Sequence, residues 1–313
     1  MLLVASCLLL CAGCLFFIFR TPYPRTSNLT PLKHANIRKS FSSNPQVLAE
    51  FVYFVHILQH ILMAHNTDFL LERRTIRKYT PETVGDDLLN DLINAGCRAS
   101  TTGNMQVYSI IVTRGEDKKR ELSPMHFNQK MVMEAPVLLT FCADFNRFNK
   151  WCLMRDAKPG YDNFLSFMTA AIDAVVVAQT ICIAAEARGL GICYLGTTTY
   201  MAHKIAEVLK LPNGVVPVTS ITLGWPAEHP EQPDRLPAEA VIHREVYSEY
   251  SDSDIERYYS EKERREDSRQ FVRENNKTTL SQVFTDVRYK KEDNIYFSKT
   301  FLQVLKDQGF MNQ

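Results

Sequence analysis

Four residues with anion-binding chemistry stand together in "LERRTIRKYTPE", residues 71–82: Arg73, Arg74, Thr75 and Arg77. Arginine presents a planar fork of donors that matches phosphate oxygens, and threonine adds a hydroxyl. Arg73 and Arg77 are four apart, so a helical turn would put both on one side. The competing reading is an ordinary solvated charge run. A second cluster is "ASTTGNMQ" (99–106), in which hydroxyls, a glycine and amides crowd one loop. Such loops gather backbone N–H groups and hydroxyls around a ligand, or simply cap a helix. A third is "RGLGICYLG" (188–196), with glycines at 189, 191 and 196 around a short strand. It is not a GxGxxG that opens a helix, so it carries no dinucleotide fingerprint. Those glycines could also just end a helix and begin a strand.

The elements around these clusters follow from apolar spacing. "DDLLNDLINAGCRAS" (86–100) has helical periodicity with acids first and Gly96 near its end. "VYSIIVTR" (107–114) is β-branched and short, a strand. "APVLLTFCAD" (135–144) is a continuous apolar run, expected as a buried strand. "MTAAIDAVVVAQTICIAAEARGLG" (168–191) is too long for a strand and apolar almost all round, expected as a helix buried in the core or at a subunit interface. Asp173, Gln179 and Glu186 argue against a membrane span there. "GICYLG" (191–196) reads as a strand, "AHKIAEVLKLP" (202–212) as an amphipathic helix and "VVPVTSITLGW" (215–225) as another strand. From about residue 226, "PAEHPEQPDRLP" predicts an extended arm over the surface or a partner. Helices are expected at 253–267 and 297–310. Strands and helices mix without regular βαβ alternation, which predicts an α+β domain with a mixed, mostly antiparallel sheet flanked by helices.

The 313 residues carry a net charge of +1, which supplies no long-range field for nucleic acid. Basic residues are not interleaved with aromatics, which also argues against a single-strand groove. There is no GxSxG elbow, Walker loop or HExxH, and the histidines His126, His203, His229 and His243 stand apart in sequence. Of eight cysteines, Cys7, Cys11 and Cys14 fall in one apolar N-terminal run; the other five, at 97, 142, 152, 182 and 193, include no CxxC, so no zinc site is expected and they read as reduced core thiols. The first 62 residues differ from the rest. "MLLVASCLLLCAGCLFFIF" is apolar through Phe19 and Arg20, Arg25, Lys33, Arg38 and Lys39 follow it. Residues 1–19 are either a membrane anchor that leaves the remainder in the cytoplasm or an over-long start upstream of Met63. The expected division is therefore 1–62 and a folded domain over 63–313.

Taken in order, the pieces resemble the FMN-dependent nitroreductase family, in particular its NADPH-preferring nitroreductase and flavin-reductase branch. "ERRTIRKYTPE", "ASTTGNMQ", "NQK" (128–130), "APVLLTFCADFNR" (135–147), "AAIDAVVVAQTICIAAEARGLGICYLG" (170–196), "LKLPNGVVPVTSITLGWPAE" (209–228) and "DRLPAEAVIH" (234–243) carry the resemblance. It covers about residues 67–312. The resemblance implies an FMN flavoprotein and a nitroreductase-like fold with an extended C-terminal arm. It implies that Arg73, Arg74, Thr75 and Arg77 hold the phosphate and ribityl end, and that Ser100, Thr101, Thr102, Asn104 and Gln106 contact the flavin. Gln129 would reach the ring edge, Leu195 and Gly196 would back it, and Arg235 would meet the NADPH 2′-phosphate. The branch often has basic residues after the glycine-bounded strand, whereas this chain has the neutral "GTTTY" (196–200). No side-chain acid or base is implied, because hydride chemistry belongs to the flavin. The implied activity is ping-pong transfer from NADPH or NADH to nitroaromatics, quinones or flavins by a cytoplasmic homodimer. The alternatives are another reductase on the same scaffold (a dehalogenase, or a flavin or iron-chelate reductase) and a flavin-binding protein without activity.

Overall fold

The computed structural model describes residues 68–312; the apolar run at 1–19, the cations after it and the expected boundary at Met63 lie outside the described residues. Four strands, β1 (Tyr108–Thr113), β2 (Val137–Asp144), β3 (Gly191–Leu195) and β4 (Val215–Gly224), form one sheet in the order β1-β2-β4-β3. Every pairing is antiparallel, so the mixed sheet expected from the sequence is wholly antiparallel among the described strands. β2 lies inside the sheet and is buried along its whole length, which is why its sequence is a continuous apolar run rather than an alternation. The β2–β4 register slips between Phe141 and Cys142, opposite Pro217. A proline has no N–H for a regular ladder and is accommodated at such an irregularity.

Helices cover both faces of the sheet. On one, α1 (Asp86–Gly96) and the long α5 (Phe164–Glu186) pack Leu89, Leu92, Val177, Ala178 and Ile181 against Leu139, Phe141, Ile192 and Ile221. On the other, Leu122 of α2 (Glu116–Leu122), Val132 of α3 (Lys130–Glu134) and Ile205 of α7 (Ala202–Val208) meet Leu138, Cys193 and Leu195. α4 (Asn146–Leu153) and α6 (Thr197–Tyr200) are the short helices after β2 and β3. The close approach of α1 to α5 depends on Gly96, where a Cβ would stand 2.3 Å from Ile181 Cγ1. Asn163 caps α5 by accepting from the Ser166 N–H, so the helix starts before the expected 168. By length and hydropathy α5 could cross a membrane, but one whole face of it is core.

After β4 the chain runs mostly extended and exposed from Pro226 to about Ser251, as the expected arm, interrupted by a 3₁₀ turn at Ala238–Ala240 whose Ala240 is buried, and then forms α8 (Asp252–Arg264), α9 (Glu266–Glu274) and α10 (Lys291–Asp307). α8 begins with a reciprocal capping box between Ser251 and Asp254. Phe301, Val304 and Leu305 of α10 close a third cluster with Phe145, Phe167 and Phe310.

Candidate functional site

The arginine cluster is extended, not helical. Ile76 N–H donates to the Ile192 carbonyl at 3.0 Å, and Thr80 N–H to the Trp225 carbonyl at 2.9 Å, so residues 76–80 lie along the free edge of β3 and the end of β4. Two glycines make room. A Cβ on Gly191 would stand 2.6 Å from Ile76 Cγ1, and one on Gly224 would stand 3.0 Å from the Tyr79 ring. The Tyr79 hydroxyl donates to the Ile76 carbonyl at 2.8 Å and lies 2.8 Å from Thr222 Oγ1; burial pushes its pKa up. Glu228 accepts the backbone N–H groups of Arg77 (2.7 Å) and Lys78 (3.1 Å). The backbone of the cluster is thus fixed from four sides.

The side chains then separate by role. Arg73 is engaged by Glu186 at the end of α5, through Nε at 3.1 Å and Nη2 at 3.0 Å. The bidentate bond to that carboxylate holds the Arg73 pKa above its ordinary value. Arg74 contacts the Glu72 carbonyl and His229. The Arg77 guanidinium is exposed and has no protein partner among the described residues, and the hydroxyl of half-buried Thr75 has none either.

The 99–106 loop is held elsewhere. Asp173 Oδ1 accepts from Thr102 N–H at 2.9 Å and Thr102 Oγ1 at 3.2 Å. Gly103, Asn104 and Gln106 all have φ between 54° and 57°, the left-handed region that non-glycine residues seldom adopt. Gln106 Nε2 reaches Asn104 Oδ1 at 3.3 Å, while the side chains of Ser100 and Thr101 have no partner among the described residues. The second Asp173 oxygen is buried without a partner.

The third group forms around β3. Gly196 ends that strand, and a Cβ placed on it would meet nothing within 4 Å, so its outer side is open. Thr197 follows, buried, with its Oγ1 2.9 Å from His126 Nδ1. His126 is fully buried, and burial lowers its pKa to about 4, so it is neutral near pH 7. It immediately precedes Phe127, Asn128 and Gln129, and Gln129 is the residue before α3. The Gln129 amide has no protein partner among the described residues. His126 therefore joins the Gln129 turn to the segment after Gly196. Arg235 lies on the arm, exposed, donating only to the Asp234 carbonyl at 2.8 Å.

Thr75 and Arg77 flank Ile76, which pairs with Ile192 in β3; Leu195 and Gly196 stand at the far end of that strand, and the Gln129 turn is tied to the residue after Gly196 through the His126–Thr197 contact. The structure does not bring the 99–106 loop to the arginine segment. That loop is fastened at Asp173 and the arginine segment at Glu186, thirteen residues apart on α5, or about 20 Å along its axis. Sequence reasoning missed four anchors: Asp173, Glu186, Glu228 and the His126–Thr197 pair. A signal for two of them was present. Asp173 and Glu186 are the only charged residues in α5, and a charge on an otherwise apolar core helix needs a partner.

An antiparallel sheet lies between two helical layers, with a cationic segment along one edge and an open glycine after β3. The chain belongs to the nitroreductase family, whose model matches residues 70–225. It is 34% identical over 195 residues to "FMN reductase (NADPH)" of Bacillus subtilis (strain 168), covering 61% of this chain and 77% of that one. It is 34% identical over 196 residues to "Oxygen-insensitive NADPH nitroreductase" of Salmonella typhimurium, covering 63% and 80%. Among solved structures, a "putative oxidoreductase" from Bacteroides fragilis NCTC 9343 is 56% identical and superposes with a TM-score of 0.78, over 78% of this chain and 100% of that one.

Proposed function

We propose that this chain is an FMN-dependent oxidoreductase that passes electrons from NAD(P)H to nitroaromatics, quinones or flavins. The observation that carries this reading is the donor set at the β3 edge. Arg77 offers an uncommitted guanidinium, Thr75 a free hydroxyl, Gln129 a free amide, and Gly196 an open approach. A dianionic phosphate needs the first two, and a planar ring with polar edges needs the others. These residues fit FMN. When bound, FMN supplies the hydride chemistry, between a nicotinamide and an acceptor that use the site in turn, a ping-pong scheme.

In this reading Arg77 and Thr75 bind the phosphate, and Arg73 holds the cluster's backbone in place through Glu186. Thr197, Thr198 and Thr199 carry no charge, and two of their hydroxyls are already used: Thr197 with His126 and Thr198 with the Leu195 carbonyl at 2.9 Å. Arg77 is then the principal charge for the phosphate. Arg235, on the exposed arm, would contact the NADPH 2′-phosphate.

Ser100, Thr101, Thr102, Asn104 and Gln106 complete the site from a second copy of the chain. The separation of their loop from the arginine edge motivates this, and so does α5. Its face away from the core exposes Leu165 (75%), Met168, Ile172 (56%), Val175 and Val176, an apolar stripe that a homodimer would cover. Sedimentation velocity showing only monomer for the FMN-loaded protein would contradict the shared site. The five described cysteines are all free thiols, which suits a cytoplasmic catalytic unit. The direct test of activity is NADPH oxidation by the purified protein. Turnover that requires added nitrofurazone, menadione or FMN supports the reading; flavin binding with no acceptor-dependent turnover would leave a binding protein instead.

A further inference from the structure

Phe127 combines three features that packing does not explain. Its ring is 52% exposed. Its backbone is left-handed, with φ 55° and ψ 35°, and Asn128 follows with φ 52°. Two consecutive non-glycine residues in that region are strained, the more so for a bulky side chain. The turn is nevertheless held firmly. Phe127 N–H donates to the Pro124 carbonyl (3.1 Å), Asn128 N–H to Ser123 (2.9 Å) and Gln129 N–H to His126 (3.2 Å), while buried His126 pins the turn to Thr197. Strain that persists because its surroundings over-determine it is characteristic of ligand-binding positions.

The ring also has a defined backing. Its centroid is 6.5 Å from that of Tyr200 at an interplanar angle of 29°, and Tyr200 stacks on Phe297 at 4.4 Å and 13°. Three aromatic planes, contributed by the Gln129 turn, α6 and α10, therefore run in one roughly parallel series that ends in solvent at Phe127. Three residues away stands the exposed Lys130 ammonium, which has no protein partner among the described residues. A flat apolar face beside a cation suits a planar aromatic molecule with electron-rich oxygens at its edge.

We propose that Phe127, backed by Tyr200 and Phe297, is the stacking platform for the electron acceptor, and that the site thereby selects planar aromatic acceptors such as quinones and nitroarenes. This rests on the oxidoreductase reading above and adds the acceptor's shape and the residue that selects it. An octahedral inorganic oxidant such as ferricyanide has no plane to stack and draws nothing from the ring.

The test uses the FMN-loaded protein and two variants. Phe127→Leu keeps apolar bulk without a ring, and Phe127→Gly removes the ring while relieving the backbone, so at least one should fold. The steady-state KM values for menadione and nitrofurazone with saturating NADPH should rise at least about fivefold in both variants, against a change within about twofold for ferricyanide. Equilibrium dialysis of menadione against the oxidised protein, without NADPH, should show its Kd weakened by the same factor. Unchanged values for the aromatic acceptors, or equal shifts for all three oxidants, overturn the platform while leaving the oxidoreductase reading intact. A wild-type protein that reduces none of the three overturns both.

Discussion

Replacing Arg77 by alanine separates binding from folding more cleanly than any other change in the cluster. The Arg77 guanidinium has no partner among the described residues, so its loss should leave folding stability within about 0.5 kcal/mol of wild type. Toward a phosphate it can make charge-assisted hydrogen bonds, each contributing about 1.5–3 kcal/mol. That corresponds to a roughly 10- to 150-fold weakening of FMN affinity, with the lower end favoured because the group is exposed. The assay is quenching of FMN fluorescence as FMN-free protein is titrated in at low salt, with thermal denaturation of the same samples. Arg73→Ala is the internal contrast. It strands the Glu186 carboxylate, whose side chain is only 10% exposed, and should cost about 1–3 kcal/mol of stability, less than a fully buried pair because Arg73 is 25% exposed. Its effect on FMN should follow from the loosened segment. An Arg77→Ala protein that binds FMN as tightly as wild type, or that melts as early as Arg73→Ala, would refute the division of labour between the two arginines.

Three further outcomes follow from the same geometry. Gly191→Ala puts a methyl into the side chain of Ile76 and must push the arginine segment off β3; a loss of about 1–3 kcal/mol in urea denaturation, with weakened FMN binding, is expected. His126 is neutral when folded because burial holds its pKa at about 4, whereas the unfolded residue titrates near 6.5. Above that value it adds no pH dependence; as the pH falls from about 6.5 to about 4 only the unfolded chain takes up the proton, and stability drops by roughly 3 kcal/mol before levelling. The urea midpoint of His126→Asn should therefore decline less steeply than wild type over that interval. For Arg235→Ala, the ratio of kcat/KM for NADPH to that for NADH should fall several-fold, since only NADPH carries the extra phosphate; the two nucleotides assayed side by side decide it.

The elements whose burial is uniform or periodic were legible in the sequence. The run "APVLLTFCAD" is β2 because both faces of that strand are covered, and 86–96 is helical because its apolar residues fall on one face. α2 and α4 escaped notice. Their sequences, "EDKKREL" and "NRFNKWCL", are short, the first mostly polar and the second half polar with no buried residue, so neither imposes a clear period. The segment at 73–77, in which a helical turn would have put Arg73 and Arg77 on one side, is an edge segment, and the main-chain partner that decides it, Ile192, is more than a hundred residues away. The site shows the same limit. The residue types at 73–77, 99–106 and 129 could be read from composition, but Glu186, 113 residues from Arg73, decides which arginine is free. The chain also separates the 99–106 loop from the arginine segment along α5, which local spacing cannot reveal.

Whether this chain holds FMN and draws electrons from NADPH is decided by the visible absorbance spectrum of the FMN-reconstituted, desalted protein, recorded anaerobically before and after adding NADPH. Retained flavin bands that NADPH bleaches and that menadione then restores are expected. A colourless protein after desalting, or flavin bands that NADPH leaves unchanged, would contradict this reading.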